Sequence, residues 1–367
     1  MRSHDRVRQM RLLDSGPLTA AEHMALDEVL LEAVGSGQSP STFRFLQFKP
    51  CALLGLHQKA ELELHLDYCR HQGVEINRRI TGGGSLYWGP RELGWELYAS
   101  RHTPGLPRRV DDLYRYLCQG MAAALGRLGI EAAYRPVNDI EVRGRKICGS
   151  GGSEYKDAFV FQCSLLVDVD VREMTRVLKL PAEKLSDKGI SSLEERMTTV
   201  TKELGRRPDM AALKAAVLHG LEETVGFSFV QGALQRQEQQ AWDGKLPRFR
   251  SESWIFGAEE GVVDTVDATG NYKAPGGLIR VQARLDEKRR FLKFVWISGD
   301  FFAYPAKAIR DLEAYLKHRP ADVQQLGRLI DDFFWEHKVE IPGVEPRDFA
   351  KAVALAVEKA REGRPVG

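Results

Sequence analysis

Two stretches of this sequence pair basic side chains with runs of glycine. The first is Arg78-Arg79-Ile80-Thr81-Gly82-Gly83-Gly84-Ser85. Three consecutive glycines between strand-like segments cost backbone entropy. They let a backbone approach a ligand closely or take positive φ. Exposed N–H groups beside two arginines suit a phosphate or a carboxylate. On the residues alone, a flexible hairpin turn with a basic flank is an equal reading. The run is not a P-loop, because no Gly-Lys-Ser/Thr follows it, and it lacks the spacing of a dinucleotide fingerprint. The second run, Gly149-Ser150-Gly151-Gly152, follows Lys146 closely and fails both motifs as well.

Lys146 lies in Gly144-Arg145-Lys146-Ile147-Cys148-Gly149, shortly after Asn138-Asp139. Strand alternation puts Lys146 and Cys148 on one face and Ile147 on the other. A lysine directed into a glycine-lined site is a compact cation able to bridge two anionic reactants. A solvated strand lysine is the commoner reading without further context. Other chemistries find less support. The nine histidines form no HExxH, and no Cys/His cluster has zinc spacing. A Ser/His/Asp set has no GxSxG elbow to start from. The five cysteines, at 51, 69, 118, 148 and 163, form no CxxC. Packing roles for Cys148 and Cys163 are favoured.

Several elements must position these groups. Thr19-Ala-Ala-Glu22 has capping-box spacing. Leu26, Val29, Leu30 and Ala33 follow at helical period, with Gly35 as a stop. Strands are expected at 42–48, 52–56, 75–80 and 94–100, and a helix from Asp111 to about Leu128. A hairpin over 138–142 and 145–148 turns near Arg143-Gly144. An apolar strand spans 159–167, and short helices follow at 171–179 and 210–224. The Gln-rich, polar segment 231–253 reads as a connection between domains. Beyond it come strands at 261–266, 278–285 and 291–298, then helices at 308–318, 323–336 and 347–362. Strands first and helices later argue an α+β class.

The chain has 367 residues, 53 Lys+Arg against 51 Asp+Glu, and 28% charged residues. That length suggests two domains, and the composition excludes wholesale disorder. The near balance of charge argues against a nucleic-acid partner. No apolar run approaches a membrane span, and no secretory h-region is present. The odd number of cysteines is read as reduced thiols in a cytoplasmic protein.

Taken together, the motifs resemble the lipoate–protein ligase family, within the wider biotin/lipoate ligase catalytic fold. Arg78 to Gly84 looks like the family's RRxSGGG motif, with Thr81 for Ser. Asn138-Asp139-Ile140 and Gly144-Arg145-Lys146-Ile147 look like its NDI…GKKI element. Gln162-Cys163-Ser164-Leu165-Leu166 stands where the family has HGTLL. Lys188-Gly189-Ile190-Ser191-Ser192 with Arg196 looks like its adenylate-binding loop. This resemblance covers roughly residues 10–225. Trp254-Ile255-Phe256-Gly257 and Gly299-Asp300-Phe301-Phe302 look like the accessory domain of two-domain ligases.

The resemblance implies a mixed-sheet catalytic domain over 1–235, a linker over 236–252 and a smaller α+β accessory domain over 253–367. It implies an ATP-dependent ligase that forms lipoyl-AMP, uses Mg²⁺, and passes lipoate to a lysine of a lipoyl carrier domain. That carrier would be a glycine-cleavage H-protein-like domain or a dehydrogenase E2 lipoyl domain, and the ligase a monomer. Lys146 is then the catalytic lysine. The nucleotide or adenylate would be held by Arg79, Thr81, Gly82, Gly83, Gly84, Ser85, Leu86, Tyr87, Asn138, Asp139, Lys146, Lys188, Gly189 and Ile190. Lipoate would meet Arg79, Gly83, Lys146 and Gln162, and Asp139 is the candidate for Mg²⁺. Two departures bear on substrate preference: Tyr87 is followed by Trp88-Gly89-Pro90 where the family usually has a histidine, and Gln162-Cys163 replaces His-Gly. Two alternatives remain beside the ligase. One is an octanoyl or lipoyl transferase of the same fold that uses a cysteine thioester without ATP. The other is a catalytically silent lipoate-binding paralogue.

Overall fold

The computed structural model describes residues 8–179, 193–257, 268–286 and 290–362. The candidate residues Lys188, Gly189 and Ile190, and the strand expected at 261–266, lie outside these described residues.

Helix α1 (Ala20–Gly35) begins where the sequence indicates. The Thr19 hydroxyl accepts from the Glu22 amide, and the Glu22 carboxylate accepts from the Thr19 amide, so two free donors are satisfied reciprocally. The helix lies on an eight-stranded mixed sheet. Its strands are β1 (Arg8–Leu18), β2 (Thr42–Phe48), β6 (Leu93–Ser100), β7 (Ala133–Arg135), β8 (Asp139–Val142), β9 (Arg145–Tyr155), β10 (Ala158–Leu165) and β11 (Phe227–Gln231). They run in the order β11-β1-β2-β6-β10-β9-β8-β7. β1 pairs parallel with β2 and β11, and the remaining pairs are antiparallel. Both faces are covered, so β2 and β6 read as nearly continuous buried runs. Helices Val110–Arg127 and Met210–Val225 close one face over Leu117, Met121, Leu213 and Leu221. Helix α1 closes the other over Leu26, Leu30, Leu46 and Val160.

A small sheet, β4 (Glu75–Arg78), β3 (Cys51–Leu54) and β5 (Leu86–Trp88), stands beside the large one and carries the first glycine run between β4 and β5. The C-terminal third has its own core. β12 (Ala268–Ala274), β13 (Gly277–Asp286) and β14 (Phe291–Gly299) form an antiparallel sheet under three helices, and Ile279, Val281, Leu312, Ile330, Phe349 and Val353 are buried between them. The protein is therefore α+β, with a mixed sheet and a smaller α+β unit.

Three features depart from the sequence reading. β1 and β11 had no strand signal, because Asp14, Ser15 and Gly16 interrupt one and the other is only five residues long. The segment expected to be an open connection is a helix, Arg236–Phe249, capped through Glu238 and packed along α1. Its Phe249 is buried and Trp242 donates to the Glu22 carbonyl, so a few apolar residues anchor an otherwise polar helix. Finally, the β8–β9 pairing slips between Ile140 and Glu141. The slip breaks the alternation expected at 146–148. Ile147 and Cys148 both enter the core, while Lys146 does not. Among the described residues, no helix is long and apolar enough to cross a membrane.

Candidate active site

A cavity of about 360 Å³ opens between the large sheet, the small sheet and the C-terminal unit. Met24, Leu46, Phe48, Leu53, Trp88 and Trp95 supply an apolar wall. Of the expected site residues, Arg79, Thr81, Gly84, Ser85, Leu86, Tyr87, Asn138, Lys146 and Gln162 line it. The fold thus brings together residues from the glycine loop, from the β7–β8 turn and from two central strands. The sequence separation between Thr81 and Gln162 is closed by one hydrogen bond, Thr81 hydroxyl to Gln162 Oε1 at 2.8 Å.

Lys146 is partly exposed, and its Nζ stands 2.6 Å from Asp139 Oδ1 on the neighbouring strand. Its own backbone carbonyl accepts from Thr198 at 2.9 Å, and Met197 pairs alongside it. The chain therefore returns to the lysine directly after residue 192. Asn138 is tied to the second glycine run: Nδ2 donates to the Ser150 carbonyl at 2.6 Å and its own carbonyl accepts from the Ser150 amide at 2.9 Å. Arg196, the arginine expected to follow the adenylate loop, is exposed.

Arg79 and Gly83 are both engaged within the protein. Arg79 is buried and gives most of its donors to its own loop and to the adjacent strand β3. Nη2 donates to the carbonyls of Gly82 and Gly84, both at 2.9 Å, Nη1 to that of Leu53 at 3.2 Å, and Nε to Thr81 Oγ1 at 3.3 Å. Burial, and then the adjacent Arg78, hold its guanidinium down at about 10, still a cation at neutral pH. The Gly83 amide donates to the Phe301 carbonyl at 2.9 Å. Arg78 binds the carbonyls of Gly55, Leu56, Gln58, Trp254 and Ile255, which fastens the segment after helix Arg236–Phe249 to the site. Of the expected cations among the described residues, Lys146 lines the cavity with its charge paired to a carboxylate and not to backbone carbonyls.

The Asp139 carboxylate is paired with Lys146, and no group of three or more His, Cys, Asp or Glu able to hold a metal occurs among the described residues. The cysteines are all reduced and buried. Cys163 lines the cavity and its Sγ is 2.8 Å from that of Cys148. Burial pushes the Cys163 thiol well up, and the Cys148 thiol beside it adds to the shift. Burial also raises Cys118 to about 12 and pushes Cys51 and Cys69 up.

Sequence reasoning missed two groups. Gly276, Asp300 and Phe302 reach the cavity from the C-terminal unit. The Phe302 ring covers both glycine runs, since a Cβ on Gly83 or Gly151 would fall within 2.4 or 2.5 Å of it. The other group is the buried set Asp27, Arg44 and Glu96 behind Gln162. Its signal was present in the sequence: Arg44 stands between Phe43 and Phe45, and Glu96 between Trp95 and Leu97. A charge inside an apolar strand is rarely buried unpaired.

The description of the lipoyl protein ligase A/B catalytic domain matches residues 19–222. The chain belongs to this family. It is 25% identical over 272 residues to the octanoyltransferase LipM of Clostridioides difficile, covering 68% of this chain and 98% of that relative. It is 26% identical over 257 residues to the lipoate-protein ligase A subunit 1 of Thermoplasma acidophilum, covering 67% of this chain and 95% of the relative. A solved bipartite lipoate protein ligase from the same archaeon, described with its E2 lipoyl domain, superposes with a TM-score of 0.62 at 25% identity, over 70% of this chain and 99% of that one. LipL1 of P. falciparum in complex with lipoate superposes with a TM-score of 0.71 over 94% of this chain and 98% of its own, at 13% identity. That likeness shows a shared fold that extends through the C-terminal third.

Proposed function

We propose that this protein activates lipoate with ATP as lipoyl-AMP and transfers the acyl group to a lysine of a lipoyl carrier domain. The observation that carries the ATP-dependent reading is the contrast between Lys146 and the cysteines. A partly exposed lysine faces the cavity, whereas all five thiols are buried, Cys163 at the cavity wall included, and burial raises four of them. A thioester route needs a thiolate nucleophile, and apolar burial opposes one. An adenylate route needs a preorganised cation where charge develops.

In the first step a lipoate carboxylate oxygen attacks the α-phosphorus, the bond to pyrophosphate breaks, and a mixed anhydride forms. In the second the carrier amine attacks the acyl carbon, loses a proton, and AMP leaves. Lys146 accompanies both steps by offering its Nζ to the carboxyl and phosphate oxygens, exchanging Asp139 for them. Thr81, Ser85, Leu86 and Tyr87 border the nucleotide, with Gly82, Gly83 and Gly84 shaping that border, and the motif resemblance assigns Lys188, Gly189 and Ile190 to the same ligand. The apolar wall takes the acyl chain in a cavity of ordinary ligand size. Mg²⁺ would be held chiefly by the substrate phosphates, with Asp139 the candidate carboxylate, and would neutralise their charge. Residues 1–235 act as the catalytic unit and 253–367 as the accessory unit, joined through 236–252. The carrier is of the E2 or H-protein lipoyl type, and one protomer suffices for the reaction.

The second reading is octanoyl transfer without ATP, and the LipM relatives favour it by name. One experiment separates the two. The protein is incubated with a lipoyl carrier domain and either lipoate with ATP and Mg²⁺, or an octanoyl thioester without ATP, and the carrier is weighed. Acylation with pyrophosphate release in the first arm, retained by Cys148→Ser and Cys163→Ser, supports the ligase. Acylation in the second arm alone, abolished by either serine variant, replaces it with the transferase.

A further inference from the structure

Asp27 on α1, Arg44 on β2 and Glu96 on β6 form a buried ion cluster, with Glu96 at the cavity wall. Arg44 Nη2 contacts Asp27 Oδ1 and lies 2.6 Å from Glu96 Oε2. Its Nε donates to the same Glu96 oxygen at 2.8 Å, and the Tyr98 hydroxyl donates there at 2.6 Å. Gln162 on β10 then bridges outward. Its Nε2 donates to Asp27 Oδ2 at 2.9 Å and to Glu96 Oε1 at 2.6 Å, while its Oε1 accepts from the Thr81 hydroxyl at 2.8 Å. Thr81 in turn accepts from Arg79, which holds the carbonyls of Gly82 and Gly84. An unbroken hydrogen-bonded relay thus runs from the core of the large sheet to the glycine loop.

Two carboxyl groups against one guanidinium would leave a net negative charge in a dry site. Burial, with Glu96 beside it, holds the Asp27 carboxyl well above the usual carboxylate range, which opposes a second negative charge there. Stability alone does not account for such a cluster, because apolar side chains of similar volume usually serve as well or better. What the cluster does accomplish is orientational. Each Gln162 N–H has its own carboxylate acceptor, so the amide oxygen has one direction left, toward Thr81.

We propose that Gln162, oriented by the buried Asp27–Arg44–Glu96 cluster, is a positioning residue for acyl transfer, holding Thr81 and the glycine loop in register with Lys146. The inference builds on the acyl-transfer reading above and moves Gln162 from touching lipoate to acting through Thr81. The test is a double-mutant cycle of Thr81→Val and Gln162→Leu, with Thr81→Ser as the conservative variant. It is run with whichever acyl donor the wild type accepts, alongside hydrogen exchange of residues 81–86 without substrate. Each single variant is expected to lower kcat by roughly 10- to 100-fold, the scale of a misplaced reacting group, with KM for the carrier unchanged. The double variant should be no worse than the poorer single, Thr81→Ser should recover most of the rate, and loop exchange should rise in every slowed variant. Additive losses, a wild-type kcat in Thr81→Val, or slowed catalysis with unchanged loop exchange would overturn the proposal. If Gln162→Leu does not fold, the Val and Ser variants of Thr81 with their exchange profiles decide alone. If no acyl donor is accepted by the wild type, the functional reading falls, while exchange still reports whether the relay holds the loop.

Discussion

At Gly83 the backbone takes φ +87°, and a Cβ would come within 2.4 Å of the Phe302 ring. At Gly149 the backbone is part of strand β9, and a Cβ would come within 3.0 Å of the Lys146 Nζ. In sequence the two runs are interchangeable: short, glycine-rich and next to basic residues. In the fold the first is a bent loop with packing on it. Its Gly82 and Gly83 accept the C-terminal unit at contact distance, and the Gly83 amide is bound to Phe301. The second is regular strand whose missing side chains leave room for a lysine, a ring and a neighbouring carbonyl. The contrast teaches that glycine can be required by the backbone's own conformation or by what a neighbour occupies. Substitution should tell the two apart.

The largest effect should come from Lys146 itself. Lys146→Ala is expected to lower adenylate formation and transfer by roughly 10²–10³, as for loss of a preorganised donor. The folded variant should keep its thermal midpoint, because the side chain is partly exposed and buries little. Near-normal acyl-adenylate formation would remove Lys146 from the reaction. Gly149→Ala should come next in activity. The atom in the way is the end of a flexible lysine, so folding should tolerate the methyl, but Nζ must shift away from its present place. A fall in kcat of about tenfold or more, in keeping with the cost of a displaced catalytic group, should therefore appear with little change in midpoint.

Gly83→Ala should behave the other way. A positive φ disfavours alanine and the ring of Phe302 stands in its path, so a loss of about 1–3 kcal/mol is expected in chemical unfolding. Combining it with Phe302→Ala should recover the part due to the ring and leave the part due to φ. If Gly83→Ala cost only activity and Gly149→Ala only stability, the distinction between the runs would be the reverse of the one drawn here.

At neutral pH the smallest effect belongs to His57, which stacks on Phe301 beneath the first run with ring centroids 5.4 Å apart. Burial, with Arg310 and Arg78 nearby, holds it at about 3 against an ordinary 6.5. The unfolded chain therefore takes up a proton below pH 6.5 that the folded chain refuses, and stability falls as pH drops through that window toward 3. Buried His23, also held at about 3, acts in the same sense. Glu92 and Glu313, raised by burial to about 7 from 4.5, act oppositely and lose stability as pH rises between those values. Between pH 6.5 and 4.5 the two senses offset each other, and Asp27, also held up by burial, acts with the glutamates, so the decline should set in below about pH 4.5. A His57→Gln variant should lose less midpoint than the wild type on acidification. Parallel midpoint curves for the two would show that His57 does not titrate in this way.

Much of the outline was readable from residue pattern alone. α1 was legible because its cap is chemical and local, Thr19 with Glu22, and β2, β6 and β10 because their apolar runs report burial directly. The motif order around Thr81, Asn138, Lys146 and Gln162 named most of the cavity's polar residues. Helix Arg236–Phe249 was hidden because its polarity is high and its anchors are two aromatic residues, Trp242 and Phe249. The inward turn of Cys148 was hidden because one slipped pair between β8 and β9 resets the alternation, and a register is a property of two strands.

The sequence by itself determined which residue types are available for chemistry and in what order they follow. Local rules of capping, period and turn chemistry act over a few residues and need no partner. The tertiary structure alone decided what each of them faces. It made Arg79 a brace between Leu53 and its own loop, because folding brings carbonyls to a planar guanidinium fork. It set Phe302 over two glycine runs far away in the chain. It also gathered Asp27, Arg44, Glu96 and Gln162 from four elements behind Thr81, since a buried charge persists only where the fold delivers its counter-charge.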